Sequence, residues 1–136
     1  MIATWNIDGA VNRINNKVEK ALTVIGAQAV TNVAQRIRQN GSIVSSNLIN
    51  SITYATNKEQ PAPSSGKGQA LKAAELQGVK IGTTVVYAPR VEFGFVGTDS
   101  LGRKYNQPAK SFLRSALIDN KIKLTNLFKL MMRSIK

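Results

Sequence analysis

Glu92 is the residue whose surroundings first raise the question of chemistry. It lies in VVYAPRVEFGFVG, Val85 to Gly97, between Val91 and Phe93 and close to Phe95, in the most aromatic part of the chain. An acid among apolar neighbours serves as a catalytic group, as a ligand contact or as a fastening inside a structural element. Glycosidase-like or two-metal chemistry needs paired carboxylates. The other acids, Asp8, Glu19, Glu59, Glu75, Asp99 and Asp119, share no close local motif with Glu92 or with one another. The sequence contains no Cys and no His. Thiolate nucleophiles, disulfides, imidazole bases and the usual ligands of structural zinc are therefore excluded. Nucleophilic catalysis would fall to Ser, Thr or Lys, and no G-x-S-x-G elbow singles out a serine. The glycines of PAPSSGKG fail as a P-loop, because Pro61 stands where the first glycine belongs and Gly68 where Ser or Thr belongs. No enzymatic activity, no metal and no cofactor are expected.

The remaining role for Glu92 is structural. Pro89 suits the first turn of a short helix, where its missing N–H costs nothing. Glu92 is then expected to accept backbone N–H groups or to pair with a Lys or Arg, fixing the junction between strand and turn. That partner lies either in the same chain or in a neighbouring subunit.

Charge speaks to partners more than to chemistry. The chain has 19 basic and 7 acidic residues in 136, a formal net charge of +12. Asp119 is the only acid between Ser100 and Lys136, against nine basic residues. Such a surface attracts polyanions or acidic proteins. Lys67, Arg103, Lys104, Lys110 and Arg114 are the candidate contacts. Tyr105 beside Arg103 and Lys104 either stacks on a base while the cations meet phosphates, or packs down inside a solvated loop. No zinc-finger or ribonucleoprotein motif accompanies it.

The elements that position these residues follow from periodicity. Asp8 is expected to cap a helix, in which Val11, Ile14, Val18, Leu22, Ile25, Ala29, Val33 and Ile37 recur at steps of three or four up to Asn40-Gly41. This long helix covers its own sheet, extends beyond it or packs on another subunit. Leu48 to Ile52 reads as a helical turn. SITYAT, Val79 to Ile81 and Thr84 to Tyr87 read as strands. Residues 57–76 and 97–108 read as variable or mobile loops. Pro108 marks the approach to a last helix whose apolar face, Phe112, Leu113, Ala116, Leu117, Leu124, Leu127, Phe128 and Met131, loses its register around Asn120. The final turn, with Lys129, Arg133 and Lys136, suits the negative end of a helix dipole. The expectation is one α+β domain over residues 1–136: a small antiparallel sheet of three to four strands packed with a long N-terminal helix and a C-terminal helix. With 43 % hydrophobic residues such a chain can build a core. The start, MIATWNIDGA, lacks the basic and apolar regions of a signal peptide, and no apolar run reaches the length of a membrane helix. An intracellular product without membrane contact is expected.

YAPRVEFG, Tyr87 to Gly94, and QPAKSFLRSAL, Gln107 to Leu117, together resemble the minor tail component, or tail-completion (head–tail joining), proteins of long-tailed bacteriophages. In that family a Tyr-Ala pair leads into a short helical turn with valine and glutamate, and a Pro-Phe element opens the C-terminal helix. SSNLINSI, Ser45 to Ile52, is similar to a further short element of the family. The order of elements matches over most of the chain. Here Phe95 follows Gly94 where the family usually has threonine, and AKS separates Pro108 from Phe112. The resemblance implies a structural protein of the virion, made in the host cytoplasm and placed at the head–tail interface. It implies a homo-oligomer, a hexameric ring in the virion, between the head-completion or stopper protein and the major tail tube protein; the isolated protein is expected to be monomeric or heterogeneous. DNA would pass through the ring with transient, non-specific contact. Tyr87, Ala88, Val91, Glu92, Gly94, Pro108, Phe112 and Leu113 would form the assembly or structural motif. The alternative reading is a basic DNA-binding or packaging-associated phage protein.

Overall fold

The computed structural model describes residues 7–41, 45–64, 68–75 and 77–134. Lys67 and Lys136 lie outside the described residues. Nine elements follow in order: α1 (Ile7–Asn40), α2 (Ser45–Ser51), β1 (Thr53–Ala55), β2 (Lys80–Gly82), α3 (Ala88–Phe93), β3 (Phe95–Thr98), β4 (Lys104–Gln107), α4 (Leu113–Asp119) and α5 (Lys121–Ser134) among the described residues. The class is α+β, as expected.

At 34 residues, α1 is about 50 Å long and spans the molecule. Ala21, Ile25, Ala29, Val33 and Ile37 are buried at steps of four, the spacing that aligns one helix face. Alanines in this stripe let other elements approach the helix closely. Towards its start, Val11 and Ile14 are exposed. The side chain of Asp8, the expected cap, lies outside the described residues. At the far end the Gly41 amide donates back to the Arg38 carbonyl at 3.1 Å, closing the last turn. α1 packs against β1, β2, α2, α4 and α5.

The core joins α1, α2, α3 and α4 through Val33, Ile37, Leu48, Ile52, Ala88, Val91, Phe112 and Ala116. Each large apolar side chain buried there contributes about 1.5–3 kcal/mol relative to exposure.

Among the described residues four strands form, as two separate antiparallel pairs rather than one sheet. β1 pairs with β2 in the register Tyr54 to Ile81. β3 pairs with β4 from Phe95–Gln107 to Thr98–Lys104. Two expectations are corrected here. Thr84 to Tyr87 is not a strand: Thr83 Oγ1 accepts the Val85 amide at 3.1 Å, and Ala88 N donates to the Val85 carbonyl at 3.2 Å. These local bonds turn the chain into α3 and take the groups a ladder would use. Residues 97–108, read as a loop, carry the hairpin instead. Its turn is built on Asp99, whose Oδ1 accepts the Leu101 and Arg103 amides, both at 2.9 Å.

The C-terminal helix divides at Asn120, the point where the apolar register shifts. Asn120 donates from its side chain to the Ala116 carbonyl at 2.8 Å, ending α4 before α5 begins. Arg36 of α1 is ion-paired with Asp119 at this junction. Pro108 stands five residues before α4 rather than in its first turn.

Candidate functional site

The short helix α3 starts after Tyr87, with Pro89 in its first turn, and ends at Gly94. Gly94 has φ +76°, and a Cβ there would sit 2.7 Å from the Gln107 carbonyl oxygen and 2.8 Å from the Ala109 nitrogen. Only glycine combines that backbone angle with so close an approach. The approach lays residues 107–112 beside α3. The Lys110 amide donates to the Val91 carbonyl at 2.8 Å, and Asn40 Nδ2 donates to the Ser111 carbonyl at 3.1 Å from the end of α1.

Glu92 closes this arrangement. Only 6 % exposed, its carboxylate accepts hydrogen bonds from Ser111 Oγ, Phe112 N and Leu113 N at 2.9 Å and from Arg114 N at 3.1 Å. These amides open α4, and Phe112, at the capping position, offers no side-chain cap of its own. The first amides of any helix lack intrahelical acceptors, and its N-terminus favours negative charge. Glu92 supplies both needs from a different element. Burial opposes its ionisation, but the bonds from Leu113, Phe112, Arg114 and Ser111 together outweigh that and hold the carboxyl below its ordinary value. With both oxygens engaged and the proton disfavoured, it is unsuited to general acid–base work. Of the two structural roles expected for it, backbone capping is the one found, within the same chain.

The other motif residues gather around this node. Ala88, Val91 and Phe112 are buried in the core, and Leu113 packs against it. Tyr87 also packs there, with its hydroxyl buried and unpartnered among the described residues. Among the basic candidates, Arg114 is exposed with its guanidinium 5.5 Å from the Phe93 ring centre, and Lys110 and Lys104 are exposed on the surface. Arg103 is bound through Nε to Asp99 Oδ2 at 2.6 Å, and Tyr105 OH donates to the same oxygen at 3.1 Å. The Tyr105 ring lies 5.9 Å from Phe95, which also carries the Arg90 guanidinium at 4.1 Å. Tyr105 thus leans on its own hairpin while staying exposed, and Arg103, two residues before it, is already paired.

Beside the node opens an apolar cleft of about 770 Å³ between β2, the 83–86 turn, α3 and α4. Leu71, Val86, Phe93, Leu117 and Ile118 are among the side chains that line it. Val86 is 94 % exposed, Phe93 65 % and Ile118 64 %. Sequence reasoning missed this surface. Ile118 lies off the apolar face assigned to the last helix, and Val86 was assigned to a strand. The legible signal was the excess of large apolar residues around Pro89, more than one buried face can take.

Among the described residues, no group of three His, Cys, Asp or Glu is placed to hold a metal ion. No described helix is long and apolar enough to cross a membrane. In comparisons with known proteins, no family model, no curated protein and no solved structure matches the chain.

Proposed function

We propose that this chain is a structural protein of a phage virion that joins the tail tube to the head connector, as a ring through which DNA passes. One observation carries the reading. The two segments behind the resemblance, residues 87–94 and 107–117, are separated in sequence by a hairpin, yet Glu92 locks them into a single unit. That unit holds no assembled chemistry. It presents an open apolar cleft and carries the hairpin, surfaces expected of a subunit completed by neighbours. A closed ring needs two different patches that meet head to tail. The exposed apolar residues of α1, Val11 and Ile14, and of α5, Ile122 and Leu130, provide candidates.

The neighbours in this reading are the head-completion or stopper protein and the major tail tube protein, and hexameric closure occurs in the virion. The isolated chain is monomeric or heterogeneous, its like charges restraining association. The DNA in transit meets a basic, sequence-independent surface, since tight phosphate binding would hold the cargo. Negative-stain electron microscopy of the protein mixed with tail tubes and connector complexes tests the proposal. A ring at the head-proximal end of the tube is the expected result. Tubes left bare, with the protein coating free DNA instead, would establish the DNA-binding alternative that the net charge of +12 also favours.

A further inference from the structure

We infer that the cleft beside Glu92 is a docking groove for an acidic, amphipathic segment of a different protein, not for a second copy of this chain. The inference rests on the reading of this face as an assembly surface and adds the chemistry of its occupant. Apolar lining calls for apolar anchors: Val86, Phe93 and Ile118 are large, exposed and share one opening. The apolar interior offers phosphates nothing beyond the two cations at its margin, which argues against nucleic acid in the groove itself. A groove of about 770 Å³ is in the size range that takes several side chains of a bound segment.

Charge selects the segment. Lys80 and Arg114 both line the cleft, and both are exposed. Among the described residues neither has a carboxylate within ion-pairing distance. The one acid in the lining, Glu92, is consumed by the α4 amides. The margin is therefore cationic and open to carboxylates placed beside the anchors, an arrangement that sets specificity and speeds encounter. A second copy is a poor source of those carboxylates. Of the acids whose side chains are described, Glu19 is bound by Thr56, Glu59 by Tyr54, Asp99 by Arg103 and Asp119 by Arg36 within the chain, which leaves the single exposed Glu75. Two copies would also bring together net charges of +12 each.

The test is fluorescence anisotropy with a labelled amphipathic peptide whose leucine and phenylalanine anchors are flanked by glutamates, beside the same peptide with lysines. The glutamate peptide is expected to bind about ten-fold or more tightly than the lysine peptide at low salt. Ile118→Asp should abolish binding, and Lys80→Glu with Arg114→Glu should reverse the preference. All three positions are exposed, and circular dichroism checks that each variant folds; Val86→Asp serves if Ile118→Asp does not. Equal binding of the two peptides overturns the inference, as does binding that survives a folded cleft variant. So does a cleft filled by a long-chain fatty acid with no affinity for peptide, or self-association that Ile118→Asp removes. Ring formation is read separately by microscopy: a ring from a protein that binds neither peptide sinks the groove and spares the ring, and peptide binding without a ring does the opposite.

Discussion

Glu92 illustrates how a carboxylate in an apolar setting is decided by counting donors. Four groups point at it, three of them backbone amides that α4 cannot satisfy itself. Glu92→Gln keeps the shape but turns one acceptor into an amide NH₂ that faces N–H donors. The expected loss is about 2 kcal/mol in urea unfolding, within the range for a lost cap made by a charged acceptor. Because the folded carboxyl lies below its ordinary value, its stabilisation is fully present above the ordinary carboxylate range and disappears as pH falls through the folded value. The wild-type protein should therefore lose more stability than Glu92→Gln on acidification, and the two curves should converge at low pH. Parallel curves would remove the capping role. That Glu92 is a fastening could be read from the sequence, since nothing nearby could make it a catalyst. Its partners could not be, because they lie about twenty residues on, and only the close packing at Gly94 brings them back.

The elements differ in legibility for physical reasons. α1 was plain, since a stripe at steps of four advertises a buried helix face over its whole length. The break at Asn120 was also visible as a slip in register. The hairpin was not: every residue of β4 is exposed, so burial wrote no alternation into it, and local bonding at Asp99 shapes the turn. The stretch Thr84–Tyr87 misled in the opposite direction, its β-branched composition being overridden by the Thr83 side chain. At this scale Gly94 is the sensitive point, because it sets how closely α3 meets residues 107–109. Gly94→Ala adds both a disfavoured backbone angle and a clash with main-chain atoms that cannot swing away. It should cost about 2 kcal/mol or more in thermal or urea unfolding. Gly102→Ala is the control: it has a similar φ of +79°, but a Cβ there meets nothing within 4 Å, so only the backbone cost of about 1 kcal/mol remains. Equal losses at the two glycines would show that the approach to Gln107 and Ala109 does not matter.

For the whole molecule, the sign of a salt effect separates the two leading readings of the sequence, a ring component and a DNA-binding protein. A net charge of +12 on 136 residues makes identical subunits repel, while the exposed Val11 and Ile14 of α1 and Ile122 and Leu130 of α5 give them apolar surface to bury. Added salt shortens the reach of the repulsion to about 8 Å near physiological ionic strength and leaves apolar burial in place. Self-association driven by those surfaces must therefore grow with salt. Binding to DNA must do the reverse, because each neutralised phosphate releases a counterion and the affinity falls steeply as salt rises. Sedimentation velocity is expected to show a monomer at low salt and oligomers favoured as sodium chloride is raised to about 0.5 M. Duplex DNA added at low salt is expected to bind weakly and to dissociate over the same range. A chain whose only complexes form with DNA and vanish with salt is a DNA-binding protein. One whose subunits associate more strongly as the charges are screened has the energetics of a ring, held by buried surface and restrained in isolation by its own charge.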